Sequence, residues 1–197
     1  MPVSLDDLLV SSPYLRDLHA RHGGWLAGAL PDPPQALEDV LREVAAAGAN
    51  TGNEEALGAC LREAKARMAL LCAAAETGRR WTTAEACAAL SDFADAALDA
   101  ALAVLLRRAV DKGDLVGSVT PQRSGLAIFA LGKQGGRELN YSSDIDIVAF
   151  FDRDAGVLAD PLEATKVYSR IVQRLAALLQ DRVGNDYVFR IDLRLRP

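Results

Sequence analysis

Two aspartates one residue apart, Asp144 and Asp146, follow a glycine-rich segment and open an apolar run in the sequence LGKQGGRELNYSSDIDI (131–147). Alternate side chains of a strand lie on one face, so both carboxylates would point to one side and Ile145 and Ile147 into the core. Two such carboxylates repel each other unless a cation compensates for their charge. Mg²⁺ prefers oxygen ligands and usually takes substrate phosphates as further ligands. The segment therefore predicts metal-assisted chemistry on a nucleotide phosphate.

A third carboxylate occurs in the last run of the sequence. Residues 187–195 alternate between apolar and charged side chains, which predicts a half-buried strand with Asp192 between Arg190 and Arg194 on its polar face. A third acidic ligand would allow two metal ions about 3.5–4 Å apart, as in phosphoryl or nucleotidyl transfer. On the same face, Arg190 or Arg194 would help to position a phosphate.

The competing interpretation is that the acidic pair has no function. An Asp-x-Asp pair alone is a weak signal, because most such pairs lie at solvated strand ends or in turns. Asp152 and Asp154 fit that description and are expected to open a loop. For Asp144 and Asp146, the preceding glycine turn favours the functional interpretation.

The glycine turn matches neither of two common phosphate-binding motifs. A P-loop would need glycine where Ala127 stands and serine or threonine where Gln134 stands, and no G-x-G-x-x-G is present. The remaining interpretation is a short helix after a strand, whose backbone N–H groups hold phosphate oxygens. Lys133 and Arg137 would add positive charge there, or they are solvated loop charges.

The elements that must position these residues lie in the last third of the sequence. The apolar runs Leu126–Leu131 and Ile145–Phe151 predict strands, the first of them buried. Residues 158–182 return to helical spacing, and the residues expected to face inward are Leu162, Val167, Ile171, Leu175 and Leu178. The predicted fold class is α+β: an N-terminal helical bundle followed by a mixed sheet with flanking helices.

Residues 1–120 carry almost continuous helical signals and no catalytic pattern, so we expect scaffold or docking there. Ser12-Pro13 predicts a helix to about His22, and Pro33-Pro34 a break before a helix that ends at Gly48. Caps at Asn53 and at Thr82 or Thr83 predict two longer helices. Their apolar stripes are Leu57, Leu61, Ala64, Met68, Leu71 and Ala75, and then Leu90, Phe93, Ala97, Ala101 and Leu105. We predict two domains, 1–120 and 121–197.

The composition narrows the classes of partner and compartment. The net charge of −5 argues against general nucleic-acid binding, which normally requires a basic face. Cys60, Cys72 and Cys87 form no C-x-x-C pair, so reduced thiols are expected. The start, MPVSLDDLLV, lacks a signal-peptide pattern, and no run of 18 apolar residues predicts a membrane span. A cytoplasmic protein without membrane contact is the expectation.

The order of strand, glycine turn, Asp-x-Asp strand, helix and third-aspartate strand resembles the polymerase-β-like nucleotidyltransferase superfamily. Gly132 precedes Asp144 by twelve residues, which is similar to the spacing in those enzymes, although Lys133 stands where many members have serine. Longer strings resemble the bacterial glutamine synthetase adenylyltransferase/adenylyl-removing enzyme. These are GKQGGRELNYSSDIDI (132–147), FRIDLRLRP (189–197), SPYLRDLHARHGGWL (12–26), LREAKARMALL (61–71) and LSDFADAAL (90–98).

The resemblance implies the N-terminal, adenylyl-removing half of that enzyme. Its implied reaction is phosphorolysis of AMP from a tyrosine of glutamine synthetase, with phosphate consumed and ADP released. The implied catalytic and metal-binding residues are Asp144, Asp146 and Asp192, with two Mg²⁺ ions. The implied phosphate- or nucleotide-binding residues are Gly132, Lys133, Gly135, Gly136, Arg137, Ser143, Arg190 and Arg194.

The resemblance also implies partners and leaves rivals open. Glutamine synthetase, ADP or ATP, phosphate and a PII-type signal protein are the expected partners. Because the family continues well beyond Pro197, we expect an incomplete nucleotidyltransferase core. Three rival functions remain: forward adenylylation from ATP, a non-catalytic docking module, and a nucleotidyltransferase with a small-molecule or RNA acceptor.

Overall fold

The computed structural model describes residues 4–184 and 186–193, so the predicted roles of Arg194 and Leu195 lie outside the described residues. Helices and strands are numbered separately along the chain. The helices are α1 (Leu5–Ser11), α2 (Pro13–Ala29), α3 (Pro33–Asn50), α4 (Glu54–Thr77), α5 (Thr83–Asp111), α6 (Gly132–Gly135) and α7 (Ala164–Gln180). The strands are β1 (Leu126–Leu131), β2 (Ile145–Phe151) and β3 (Ile191–Leu193).

Side-chain caps start the long helices where the sequence predicts them. Asn53 and Thr82 accept hydrogen bonds from backbone N–H groups of the first turns of α4 and α5. Two boundaries differ from the prediction. Helix α3 begins at Pro33 itself, because Asp32 caps it and proline is tolerated in the first turn. Helix α2 continues past His22 to Ala29, because the burial of Leu26 compensates for its glycines.

The predicted stripes of α4 and α5 form the centre of the core, and every residue in them is buried. Met68 is fully buried among them, which confirms that it fills the core. Gly48 of α3 lies against α5 so closely that a Cβ atom there would be 2.6 Å from Ala100 Cα. Small residues therefore set the close packing of these helices.

The sheet is mixed, with strand order β1-β2-β3. Strand β1 pairs antiparallel with β2, and β3 pairs parallel with β2, so α7 forms the crossover that parallel pairing requires. Five helices precede this sheet in the described residues, and the predicted α+β class is confirmed. The division at residue 120 stays a prediction.

Three predictions about the sheet and its helix were wrong in part. Strand β1 is an edge strand rather than a buried one: Leu126 is buried, but Phe129 is 55% exposed. Leu162 is 89% exposed, because it lies in a single 3₁₀ turn before α7 begins, whereas the other four predicted residues of α7 are buried. Within the described residues, strand β3 begins at Ile191 rather than at Tyr187, although the predicted alternation holds from Phe189 to Leu193.

A buried carboxylate ties the helices to one another. Glu54, 9% exposed at the start of α4, accepts hydrogen bonds from Arg108 of α5 and from Arg174 of α7, the latter at 2.5 Å. Helix α7 also packs on strands β2 and β3, so these ion pairs link the helical part of the chain to the sheet. The three cysteines are free thiols, with Cys72 buried. Within the described ranges, no helix has the length and apolarity needed to cross a membrane.

Candidate functional site

The three predicted carboxylates lie on one face of the sheet. Asp144 immediately precedes β2 and Asp146 is its second residue, while Ile145 and Ile147 are fully buried on the opposite face. Asp146 is in register with Asp192 of the parallel strand β3. Residues in register on neighbouring strands project to the same side. The register thus places Asp146 and Asp192 side by side, whereas the sequence could assign them only to separate strands.

Gly132 lies directly against the central carboxylate. The register pairs Leu131 at the end of β1 with Asp146, so the next residue begins α6 beside that side chain. A Cβ atom on Gly132 would be 2.8 Å from Asp146 Oδ2, and its φ of +55° lies in the left-handed region that favours glycine. Both its backbone conformation and its proximity to Asp146 favour glycine here.

The rest of the glycine turn is equally compact. A Cβ atom on Gly135 would be 2.5 Å from the carbonyl oxygen of Ala130, so α6 could not fold back on β1 with a larger residue. The N–H of Gly136 donates to the carbonyl of Gly132 at 3.0 Å and closes the turn. Lys133 is exposed. The short helix predicted after the first strand is present, and its phosphate-binding role stays a prediction.

Asp144 is held by an arginine from the approach to β3. Arg190 Nε donates to Asp144 Oδ1, and Arg190 Nη2 donates to the carbonyl of Ser142 at 2.9 Å. The backbone carbonyl of Arg190 accepts from the N–H of Ile145 at 2.9 Å. One residue therefore fixes both the carboxylate and the backbone that leads into β2.

The loop before Asp144 folds around Asn140. The Asn140 side-chain oxygen accepts from the Ser143 hydroxyl at 2.8 Å and from the Ser142 N–H at 3.2 Å. The predicted nucleotide-binding Ser143 is thus part of the turn that presents Asp144. Sequence reasoning did not select Asn140, although asparagine is a common residue in such turns.

A set of polar contacts fixes the glycine turn on α5, and the sequence analysis missed it. Arg137 Nη2 donates a hydrogen bond to Asp92 Oδ2 at 2.9 Å, and Nη1 lies 2.6 Å from Oδ1 in an ion pair; these contacts raise the pKa of the guanidinium. The buried Gln134 donates to Asp95 at 2.7 Å. In this conformation the Arg137 guanidinium is bound to α5. The signal in the sequence was the acidic pair Asp92 and Asp95 within the mostly apolar middle of α5.

The donor set suits a hard cation in its chemistry. Three carboxylates on one sheet face supply the oxygen ligands that Mg²⁺ prefers. Among residues 4–184 and 186–193, no three acidic, histidine or cysteine side chains converge closely enough to enclose a metal ion. Asp144 is turned toward Arg190, so a metal-binding arrangement would require this carboxylate to exchange its arginine partner for the ion.

Beyond the carboxylates, the same sheet face is apolar and open. Phe129 and Phe150 lie on it with their ring centroids 5.8 Å apart in an edge-to-face arrangement. They are 55% and 58% exposed, and Leu131 beside them is 39% exposed. The acidic site is therefore accessible from a broad surface.

An α+β protein with a glycine turn against the central one of three carboxylate-bearing positions on a mixed sheet is of the nucleotidyltransferase class. A family model described as glutamate-ammonia ligase adenylyltransferase matches residues 3–197. The chain therefore belongs to this family.

Curated relatives agree with the family match. Bifunctional glutamine synthetase adenylyltransferase/adenylyl-removing enzymes from Xanthobacter autotrophicus and Agrobacterium fabrum are 44% and 40% identical, each over 94% of the chain. A protein of the same name from Rhodopseudomonas palustris is 40% identical over 100% of the chain. The chain spans 19–20% of the length of these relatives. The family resemblance predicted from the sequence strings is confirmed.

Proposed function

We propose that the chain removes AMP from adenylylated glutamine synthetase by phosphorolysis, in which inorganic phosphate is consumed and ADP is released. One observation carries the proposal: Asp146 and Asp192 pair in register while Gly132 lies against the Asp146 carboxylate. The names of the relatives, which combine adenylyl transfer with adenylyl removal, supply the chemical group and the protein substrate.

In the proposed reaction a phosphate oxygen forms a bond to the phosphorus of the adenylyl group while the bond from phosphorus to the tyrosine oxygen breaks. The nucleotide leaves as ADP, and the tyrosine oxygen takes up a proton. Mg²⁺ bound by Asp144, Asp146 and Asp192 would supply positive charge for the phosphoryl oxygens. The chain's own contribution is to hold the three carboxylates on one face.

Two neighbouring groups have supporting roles in the proposal. Gly132 lets the backbone of the turn approach Asp146, so that phosphate oxygens can come near the backbone N–H groups of α6 and the carboxylate together. Arg190 holds Asp144 in place through its Nε and is within reach of an anion that approaches the same face. The open apolar surface beside the carboxylates gives a protein substrate access to the site.

The test is an incubation of adenylylated glutamine synthetase with the chain, Mg²⁺ and phosphate, with ADP measured by chromatography. ADP release is expected, and Asp144→Asn or Asp146→Asn should abolish it. Asp154→Asn is the matched control, because this aspartate lies in the loop after β2. Release that persists in both site variants would overturn the proposal.

Forward adenylylation is the second candidate, because the relatives' names include it and one set of carboxylates serves both directions. The same experiment decides between them when unmodified glutamine synthetase and ATP replace the adenylylated protein and phosphate. AMP incorporation without any phosphate-dependent ADP release would favour the forward reaction. Binding of ADP with no product in either direction would favour a docking module, with glutamine synthetase or a PII-type signal protein as its partner.

A further inference from the structure

A cavity of about 270 Å³ opens beside the loop that precedes Asp144. Helix α2 contributes Tyr14 to its wall, helix α4 contributes Arg62 and Lys65, and the loop contributes Tyr141 and Ser142. Arg62 and Lys65 are three residues apart on α4 and so lie on one face of the helix. The cavity thus places two cationic side chains from the helical part of the chain next to the loop that precedes Asp144.

Lys65 is half-buried, and the Asp186 carboxylate acts on its positive charge. Its Nζ atom donates to the carbonyl of Tyr187 at 3.1 Å and lies 4.1 Å from the centre of the Tyr187 ring. An ammonium group has three N–H donors, so this carbonyl does not satisfy all of them. Burial lowers the pKa of Lys65 to about 8, which leaves it mostly charged at neutral pH. A half-buried cation of this kind is stabilised by an anion, and Asp186, which raises the pKa of Lys65, also forms an ion pair with Arg21.

The charges around the cavity favour an anion. Asp186 is the acidic residue among those that line it, and Arg21 forms an ion pair with it at 3.4 Å. Arg62 shares the cavity wall with Lys65, and Arg190 is near enough to Lys65 to affect its titration. Burial raises the pKa of Tyr14 and of Tyr141, so both hydroxyls stay protonated and can donate hydrogen bonds.

Arg190 connects this cavity with the carboxylates. Its Nη2 donates to the carbonyl of Ser142, which belongs to the cavity wall, while its Nε donates to Asp144. The Arg190 side chain would therefore separate an anion in the cavity from the predicted reaction centre. A phosphate ion bound in the cavity would have to move past the Arg190 side chain before it could attack, because the reacting atoms must come within about 3–3.5 Å of each other.

We propose that this cavity, with Lys65 and Arg62 as its cationic groups, binds inorganic phosphate before the phosphate moves to the carboxylates and attacks the adenylyl group. The inference rests on the proposed function for the role of phosphate and extends it to a site in the helical part of the chain. A phosphate group of ADP has the same chemistry, so the test must separate the two sources.

The test is isothermal titration of the chain with inorganic phosphate and, separately, with ADP. Lys65→Met keeps the aliphatic stem and removes the charge, Lys65→Arg keeps the charge, and Lys112→Met at the end of α5 is the control. Removing a charge-assisted hydrogen bond of about 1.5–3 kcal/mol should weaken phosphate binding by roughly 10- to 150-fold in Lys65→Met. Lys65→Arg and Lys112→Met should bind phosphate nearly as the parent chain does.

Three other outcomes would overturn the assignment of this cavity as the phosphate site. Unchanged phosphate affinity in Lys65→Met, with a circular dichroism spectrum like that of the parent, would exclude the cavity. If ADP affinity depends on Lys65 and phosphate affinity does not, the cavity binds the nucleotide instead. Loss of phosphate binding in Lys112→Met to the same extent would show non-specific attraction.

Failure of the proposed function gives a different pattern. If the chain releases no ADP and Lys65 still determines phosphate affinity, the cavity is a phosphate site and the reaction is wrong. If ADP is released and Lys65→Met leaves the KM for phosphate unchanged, the reaction stands and the cavity assignment fails. The two claims can therefore be rejected independently.

Discussion

Replacing Gly132 with alanine should displace the Asp146 carboxylate more than it destabilises the fold. A non-glycine residue in the left-handed region costs about 1–2 kcal/mol, part of which is offset by the lower entropy of the unfolded chain. The added Cβ atom would be 2.8 Å from Asp146 Oδ2. Because that oxygen is at the end of a rotatable side chain, the carboxylate can withdraw by roughly 0.6 Å or more to an ordinary contact distance.

The matched control for this substitution is Gly113→Ala. Gly113 follows α5 with a φ of +76°, and a Cβ atom there would meet no other atom within 4 Å. Both variants should therefore lose a similar unfolding free energy of about 1 kcal/mol, measured by urea denaturation. Only Gly132→Ala should slow ADP release, by about 10²-fold, since displacement of a reacting group by about 1 Å has effects of that size.

Two outcomes would refute this reasoning. Equal rates of ADP release in Gly132→Ala and Gly113→Ala would show that the contact with Asp146 has no catalytic consequence. A much larger loss of stability in Gly132→Ala than in Gly113→Ala would show that Asp146 cannot move aside. In that case the carboxylate is held more rigidly than its partial exposure indicates.

Three further predictions concern the connections between the helices and the site. Glu54→Gln should lower the unfolding free energy by about 1–3 kcal/mol in urea denaturation, because two arginines lose their buried carboxylate partner. Asp39 forms an exposed ion pair with Arg42, and an equal loss of stability in Asp39→Asn would contradict this prediction. Thr82→Ala should cost about 1 kcal/mol in the same assay by removing the capping box of α5, and no loss would show that the cap is dispensable. Phosphate affinity, measured by titration calorimetry, should fall as pH rises through about 8, since Lys65 loses its proton there. An identical fall in Lys65→Arg would show that another group causes the pH dependence.

The sequence predicted strand β2 and the capped helix starts well, because these depend on local patterns. The apolar run Ile145–Phe151 and the caps at Asn53 and Thr82 each contain their own signal. The pairing of Asp146 with Asp192 was inferred from alternation and family likeness, and the register of the sheet supplied the geometry.

The remaining features depend on contacts that residue spacing does not encode. The apolar composition of β1 predicted burial, but its position at the sheet edge leaves Phe129 exposed. The anchoring of Arg137 by Asp92 joins residues 45 positions apart, and Lys65 meets Tyr187 across 122 positions. The helical part was expected to be a scaffold or a docking region, whereas its side chains also contact the segment that leads to Asp144, as Ser91 does by accepting from the N–H of Leu139.

The most direct test of the central claim follows the fate of radiolabelled inorganic phosphate during turnover of adenylylated glutamine synthetase. Phosphorolysis on the Asp144, Asp146 and Asp192 face predicts that the label appears in ADP with the parent chain and not with Asp146→Asn. Release of unlabelled AMP, or labelled ADP at the same rate from Asp146→Asn, would contradict the account.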